Sequence, residues 1–526
     1  MHIKRYWPIA GILALAAVLR FWNLTAISLW HDEAFSALLI RYPWKEMMYR
    51  IGLDVHPPMY YVFLRLWHYV FGDSLLSLRG MSVLFGVLTV WAVWLFVREA
   101  FKNEKLALWA ALLAAVNPFS VQYVTEARMY TMGAFFAVLS AYFLTKALHR
   151  QKDLYGTSKL AMPRLPQEIG LKRSMLWNYS GFVLSTVVLI YTHYYLLFTA
   201  AAICFYGLVY LFFHHEGSIK KYSWLLLSFL LVALSFLPWL KTFLFQYRQV
   251  DAGYWIPPMD RWSIPSTLWT LLFGIGHDPA KLKTQILLVI TFVFALYFLY
   301  RFLRKTQFFE KWLVILAILA PFGGSFLFYI LARLKGSSSS VYLVRYFIFT
   351  AAYLNIALAV WLGQLRHKKI AYLLFGACVA FNLIGVYVYW QDLGVQTKPG
   401  MAAAAKFLDA NVQPEDKLYV GTSFEFFNFK YYNKTPVRPL LYTGGSREVS
   451  DLPHFAGTAI LTDQDLLPDF NSQVRRGDLV WLLWTNGFGS SKPETPKNWV
   501  KLDEKGFAEV RPYVGTWIVV TEYKVQ

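Results

Sequence analysis

The sequence predicts a polytopic α-helical membrane protein that ends in an α/β domain outside the bilayer. Three features predict it. Of 526 residues, 57% are hydrophobic, 19% aromatic and only 16% charged, whereas soluble domains carry about 25% charged and about 45–50% apolar residues. Apolar runs of the length that crosses a hydrocarbon core, about 20 residues, recur as far as about residue 390. The Lys and Arg behind the net charge of +20 fall in short clusters between those runs, as the positive-inside rule requires. That clustering assigns the charge to membrane topology, not to nucleic acid. Cys204 and Cys378 lie inside apolar runs, so the sequence offers no disulfide framework and no CxxC metal site.

Taken in order, Lys4-Arg5 ahead of Trp7–Leu19 has the form of a signal peptide. No small-residue cleavage site follows, and Arg20-Phe21-Trp22 continues the segment, so it is expected to be an uncleaved span. The candidate crossings are roughly 7–24, 79–97, 105–118, 129–148, 176–192, 194–213, 223–240, 285–303, 312–332, 346–363 and 370–390, about 11 transmembrane helices. The third is short, and Asn117-Pro118 is expected to end it. With the N-terminus inside, the inner connections carry Arg98/Lys102/Lys105, the stretch Arg150–Arg173, Lys220-Lys221, Arg301/Arg304/Lys305/Lys311 and Arg366/Lys368/Lys369. Every one is basic. The segments at about 25–78, 119–128, 241–284 and 333–345, and the chain after 391, then face the extracytoplasmic side of the plasma (inner) membrane. Within the first, Met59–Phe71 follows His56-Pro57-Pro58 and carries Arg65 and His68, which favours a juxtamembrane helix over a crossing.

Beyond Lys398-Pro399-Gly400 the pattern changes. Met401–Asn411 and Phe424–Tyr432 read as helices, and Lys417–Gly421, Asp478–Trp484 and Thr516–Tyr523 as strands. The division expected is a transmembrane catalytic unit, 1–390, and an extracytoplasmic α/β domain, 391–526, of about 130 residues and able to hold its own core. No internal repeat is visible, and Ser337–Ser340 is the one short linker-like tract.

The chemistry-bearing residues sit in the outer segments. Leu29-Trp30-His31-Asp32-Glu33-Ala34 is followed by Asp54-Val55-His56-Pro57-Pro58, Glu126-Ala127-Arg128-Met129-Tyr130, Tyr191-Thr192-His193-Tyr194-Tyr195 and Arg345-Tyr346-Phe347. In this order, over roughly residues 5–390, the pattern resembles the protein O-mannosyltransferase-like (family 39-type) glycosyltransferases. The resemblance implies a GT-C fold, a polyprenyl-phosphate-linked sugar donor and chemistry on the extracytoplasmic face. An α/β domain after the last helix is common in bacterial relatives.

The residue types fit such a transfer. An acceptor hydroxyl must lose a proton to a carboxylate within hydrogen-bond reach. Asp32 is the candidate base, and Glu33 a second catalytic carboxylate orienting the acceptor or Asp32. The competing reading is a solvated acidic pair at a helix N-terminus. Asp54 and His56 are candidates to face Asp32 across the site, with Asp54 equally an N-cap-type residue. A departing phosphate suits arginine, so Arg128 with Tyr130, and Arg345 with Tyr346, are candidates for the donor phosphate. Their bland alternatives are an internal Glu126–Arg128 pair and interfacial snorkelling of Arg345. His193 is a site-shaping candidate among tyrosines that an interfacial aromatic belt also explains. Asp32, Glu33, Asp54 and His56 offer oxygen and imidazole ligands for a divalent cation, but without dedicated spacing, so no metal is assigned. The loop holding Tyr254-Trp255-Ile256-Pro257-Pro258 and Trp262 either caps the site or anchors at the membrane surface.

The expected function is an integral membrane hexosyl- or pentosyltransferase acting on a protein, lipid or cell-envelope glycan. The alternatives are a transporter or flippase of lipid-linked saccharides and an inactive binding subunit. Charges gathered at outer helix ends, and not at the midplane, favour the enzyme over the transporter.

Overall fold

A computed structural model describes residues 6–155, 165–214, 222–252, 255–274, 279–336, 340–393, 400–487, 489–509 and 516–526. Lys220-Lys221, Tyr254, Ser337–Ser339, Lys398-Pro399 and the middle of the Arg150–Arg173 stretch lie outside these residues. The helices are α1 (Trp7–Phe21), α2 (His31–Leu39), α3 (Trp44–Leu53), α4 (Met59–Phe71), α5 (Leu75–Phe101), α6 (Glu104–Val116), α7 (Pro118–Val124), α8 (Tyr130–Tyr155) and α9 (Leu165–Ile190). They continue with α10 (Leu196–His214), α11 (Ser223–Ala252), α12 (Ser263–Phe273), α13 (Leu282–Lys305), α14 (Lys311–Leu334), α15 (Ile348–Gly363) and α16 (Lys368–Leu393). After these come α17 (Gly400–Asn411) and α18 (Ser423–Tyr432) within a six-stranded sheet domain.

Every expected span is helical, and the protein is a multi-pass membrane protein. Among the described residues, 8 helices are long and apolar enough to cross outright, and 9 when the bent pair α6–α7 counts as one. The other two expected spans are α1, 15 residues long, and α9, whose first turns carry Glu168, Lys172 and Arg173. The thirteen-residue α4 has the bounds expected of the juxtamembrane helix.

Asn117-Pro118 ends α6 at Val116 as expected, and the chain turns by 55° into the short α7. Pro118 lacks the N–H that would bond the Ala114 carbonyl four residues back. Arg20 from α1 supplies the missing donors, reaching Ala114 O at 3.1 Å and Ala115 O at 2.7 Å. An arginine that is costly in hydrocarbon is thereby put to use through both of its terminal nitrogens, while Asn117 caps α7 by accepting from Ser120 N at 2.9 Å. One expected bound is corrected: α11 runs through Pro238 to Ala252, twelve residues beyond its expected end at 240. It lies at the periphery, with only 11% of its apolar window buried, so a proline there meets lipid, not a packed neighbour.

The bundle core is built on α5, α8 and α15, the most buried long spans. Gly133 sets how closely α8 approaches its neighbours: a Cβ there would stand 2.7 Å from Phe349 and 2.8 Å from Leu196. In the C-terminal domain, β1 (Lys417–Val420), β2 (Leu440–Tyr442), β3 (Leu466–Leu467), β4 (Leu479–Thr485), β5 (Trp499–Glu509) and β6 (Thr516–Val525) are ordered β3-β2-β1-β4-β6-β5. The first four are parallel; β6 returns antiparallel to β4 and β5 antiparallel to β6. The expected strands appear, and the sequence missed β2, β3 and β5. Strands of two and three residues carry no alternation to read. The exposed β5, with Lys501, Asp503, Glu504 and Lys505, lacks an apolar face for most of its length.

This domain sits directly on the first loop. Tyr432 Oη accepts from Leu29 N at 2.9 Å, Tyr431 Oη donates to Asp73 O at 2.7 Å, and Arg50 donates to Ala459 O at 3.0 Å. Helix α18 packs Phe424 and Phe427 against the His31 ring at 5.3 and 5.4 Å. The N-terminus of α2 is thus held between the membrane bundle and the sheet domain.

Candidate active site

Asp32 and Glu33 occupy the first turn of α2, where carboxylates are favoured by the helix dipole. Neighbours on a helix point about 100° apart, and the two diverge. Glu33 is fully buried against Arg79 of α5, which donates from Nε to Oε1 and from Nη2 to Oε2, both at 2.8 Å. Ala127 N also donates to Oε1 at 2.8 Å. Arg79 spends its other donors on the carbonyls of Leu24, Ile27 and Ser28. Glu33 therefore ties α2 to α5 and to the Glu126–Met129 loop, and it lines none of the cavities beside Asp32. The expectation that Glu33 orients the acceptor is corrected on this ground: both of its oxygens are committed to the scaffold.

Asp32 faces open space, its side chain 24% exposed. Arg345 Nη1 stands 3.4 Å from Oδ2. Arg128, buried on the other side, donates to the Asp32 carbonyl at 3.3 Å, to Ser36 Oγ at 3.2 Å and to Tyr61 Oη at 3.3 Å. Burial alone would raise the Asp32 pKa, but the Arg128 and Arg345 charges outweigh it and hold the carboxyl below its usual range. The guanidinium of Arg128 makes no bond to the Glu126 side chain; the internal pair weighed from the sequence does not form. Nor does Arg345 snorkel: it lies over the rings of Trp30 and Trp255 at 5.1 and 5.7 Å.

Asp54 and His56 close the far side. Arg128 Nη2 lies 3.4 Å from His56 Nε2, and because a guanidinium only donates, Nε2 is the acceptor. Nδ1 then carries the proton and donates to Asp54 Oδ2 at 3.0 Å. Burial opposes ionisation of Asp54, yet the His56 ring and Arg128 leave its pKa lowered. His193 packs at a tilt on Tyr346 at 4.8 Å and meets His56 edge-on at 6.0 Å. Its Nδ1 accepts from Tyr195 N at 3.1 Å, while the buried Nε2 has no partner among the described residues. Burial, reinforced by His56 and Arg128, holds its pKa well below the ordinary value. Tyr130 completes the aromatic wall, 5.4 Å from Tyr123 and 6.3 Å from His193.

These groups line three adjoining cavities. A chamber of about 680 Å³ is walled by Trp30, Asp32, Glu126, Trp255 and Arg345, with Phe424 and Phe455 from the C-terminal domain. A notch of about 60 Å³ beneath it shares His31, Asp32, Trp255 and Phe455 and adds Asp54, His56 and Arg128. His56 and Val55 are shared in turn with an apolar cleft of about 210 Å³. That cleft runs past His193 and Tyr346 between α10, α11 and α14, along Phe198, Phe243 and Phe328. The expected residues other than Glu33 are thus brought together.

Of the four groups considered for a divalent cation, Glu33 is committed to Arg79, and the Arg128 guanidinium stands beside Asp32 and His56. Among the described residues no cluster of three His, Cys, Asp or Glu is placed to hold a metal ion.

Sequence reasoning missed His31, Phe424, His454 and Phe455. His31 stood in the quoted motif without a role; its Nδ1 lies 3.2 Å from Ser423 O and burial lowers its pKa. The other three lie about four hundred residues from Asp32 along the chain, and no local pattern connects them. Trp255 was marked only as part of an aromatic loop.

Residues 55–162 match the family model of dolichyl-phosphate-mannose-protein mannosyltransferase. The fold is similar to that of ArnT from Cupriavidus metallidurans bound to undecaprenyl phosphate, at 14% identity and a TM-score of 0.59, covering 98% of each chain. It is similar to the apo state of the same protein at the same identity and score. The Archaeoglobus fulgidus oligosaccharyltransferase is more distant, at 14% identity and a TM-score of 0.49 over 83% of this chain and 65% of that one. No curated protein sequence matches the chain. The fold is that of the GT-C membrane glycosyltransferases, followed by a strand-containing C-terminal domain.

Proposed function

We propose that this protein is a glycosyltransferase that moves a sugar from a polyprenyl-phosphate carrier to an acceptor hydroxyl in the Asp32 chamber. The observation that carries the reading is the continuity of the three cavities, with Arg128 and His56 at the junction of polar chamber and apolar cleft. A lipid-linked sugar has that polarity order: prenyl tail, phosphate, sugar. The ligand of the similar ArnT structure, undecaprenyl phosphate, and the match to the dolichyl-phosphate-mannose-protein mannosyltransferase family model support the same donor class.

In this reading the prenyl tail lies along Phe198, Phe243 and Phe328, the phosphate meets Arg128 at the notch, and Arg345 reaches it from the chamber side. Asp32 takes the acceptor proton as the hydroxyl oxygen bonds to the anomeric carbon. The bond from that carbon to the phosphate oxygen breaks, and its electron pair leaves with the polyprenyl phosphate. The guanidinium groups stabilise the charge that grows there. In the resting site those same groups lower the Asp32 pKa. A phosphate drawing their charge to itself leaves Asp32 the stronger base.

The site and the C-terminal domain belong to the extracytoplasmic face of the plasma membrane in this account. The basic helix ends then face the cytoplasm, as the positive-inside rule requires. Mass spectra of envelope glycolipids and glycoproteins from cells with and without the protein test the function. One glycan missing a single hexose or pentose supports it; an unchanged glycome with a lipid-linked sugar trapped on the inner leaflet would replace it with a flippase.

A further inference from the structure

A second cavity lies at the opposite end of the bundle, and glycosyl transfer makes no use of it. Arg98 is nineteen residues along α5 from Arg79, about 28 Å, and Arg150 is twenty residues along α8 from Tyr130, about 30 Å. There the ends of α5 and α8 enclose about 590 Å³, lined by Leu95, Arg98, Lys102, Tyr142, Lys146 and Arg150, with Glu99 and Glu104 in the wall.

Both carboxylates are already engaged. Glu99 holds Lys102 and His149 Nδ1, the latter at 2.9 Å. Glu104 accepts from Trp94 Nε1 at 2.8 Å and faces Arg98 at 3.3 Å. The remaining two cations are nearly free. Among the described residues, Lys146 touches only the Tyr142 hydroxyl, at 3.0 Å, and its ring. Arg150 makes a 3.3 Å contact to Asp153, with side chains 41% and 54% exposed, a geometry worth little in water. Four cations against two carboxylates leave the cavity with an excess of positive charge.

The approach to it is apolar. On α5, Leu84, Leu88, Trp91 and Leu95 are exposed or half-buried at spacings of four, three and four, which places them on one face. On α8, Leu139 and Tyr142 are half-buried and precede Lys146 at spacings of three and four, whereas Phe143 is turned onto Gly181 of α9. These two partly exposed apolar stripes lie on the packed helices α5 and α8 and lead toward the basic cavity.

We infer that this cavity and its approach bind an anionic phospholipid, its phosphate between Lys146, Arg150 and Arg98 and its acyl chains along the stripes. A soluble phosphate would find the charges but leave the stripes unused; a zwitterionic lipid would cover the stripes without neutralising the cations. Basic pockets between membrane helices on the cytoplasmic side bind anionic headgroups through these same forces.

The test uses the full-length protein in detergent, with thermal unfolding followed by tryptophan fluorescence. Dioleoylphosphatidylglycerol should raise the midpoint saturably, whereas dioleoylphosphatidylcholine and inorganic phosphate should not. K146Q/R150Q should weaken the apparent affinity about thirtyfold, from the two lost charges, and K146R/R150K should keep it. Equal protection by phosphatidylcholine overturns charge recognition, and protection by inorganic phosphate overturns the lipid. Undiminished phosphatidylglycerol affinity in K146Q/R150Q overturns the site. Should K146Q/R150Q not fold, a native mass spectrum of the wild type from mixed micelles decides. One retained phosphatidylglycerol per chain supports the inference, and phosphatidylcholine retained equally overturns it.

Discussion

The adjacent carboxylates Asp32 and Glu33 should fail in opposite ways, because one faces a chamber and the other an arginine. Glu33→Gln preserves the shape but not the charge. Glu33 and Arg79 are both 0% exposed and joined by two hydrogen bonds of 2.8 Å. Gln keeps one acceptor oxygen, so it cannot serve both Arg79 nitrogens, and its amide nitrogen points at a donor. Breaking a buried pair from one side strands the other charge, at a cost of about 3–5 kcal/mol. Converting Arg79 as well would not restore stability, because three backbone carbonyls would lose their donor, at about 1–3 kcal/mol each. Asp32→Asn acts on a partly exposed carboxylate beside a wide chamber, where water solvates what the substitution strands, so the stability cost is smaller. The assay is thermal unfolding in detergent by tryptophan fluorescence, paired with transfer rates well below the midpoint. Glu33→Gln should melt several degrees lower yet retain turnover where it is folded. A Glu33→Gln protein that melts like wild type but has lost transfer would refute the division of labour.

Arg128→Lys should reduce transfer at least about tenfold even though charge is kept, because an ammonium cannot present a planar fork to phosphate; wild-type donor use by this variant would hand the phosphate role to Arg345. The buried histidines give a pH dependence of stability. His31 and His193 have lowered pKa values in the native state. Below an unfolded pKa of about 6.5 the unfolded chain therefore binds protons that the native chain does not. Stability falls with falling pH from about 7 and levels off once the native pKa values are passed. Asp32 and Asp54, with depressed values, contribute stability that is lost only below about pH 4. His193→Gln should flatten the decline of the midpoint between pH 7 and 5; a slope equal to wild type would contradict neutral burial. For topology, single cysteines at the exposed Lys45 and Ser450, in a background lacking Cys204 and Cys378, should react with an impermeant thiol reagent in intact cells. A cysteine at Lys368 should react only after permeabilisation, and the reverse pattern would invert the scheme.

The helical fold was largely legible, because a bilayer imposes length and apolarity on each segment regardless of its neighbours. The 55° turn into α7 was not, since the carbonyls of Ala114 and Ala115 at that break are met by Arg20, nearly a hundred residues earlier. The same distinction runs through the site. Asp32, Arg128, Arg345, Asp54 and His56 announced themselves as charges at helix ends, where burial without use is expensive. Glu33 announced itself equally, and only three dimensions separate it from Asp32: one step along α2 turns it onto Arg79. Its partner Arg79 is a single basic residue at the start of a long apolar run, with no local signal that ties it to Glu33. Phe424 and Phe455 reach the chamber through the packing of α18 on α2, a contact that neither segment encodes alone.

The central claim is that Asp32 acts as a base on a lipid-phosphate-sugar donor held by Arg128 and Arg345. Its most direct test is single-turnover transfer by the full-length protein in proteoliposomes supplied with a radiolabelled polyprenyl-phosphate sugar and the acceptor. Donor binding is measured separately on the same vesicles. Asp32→Asn should bind the donor as wild type does and transfer about 10²–10⁴-fold more slowly, the loss typical of removing a general base. Transfer within a few-fold of wild type would contradict the account.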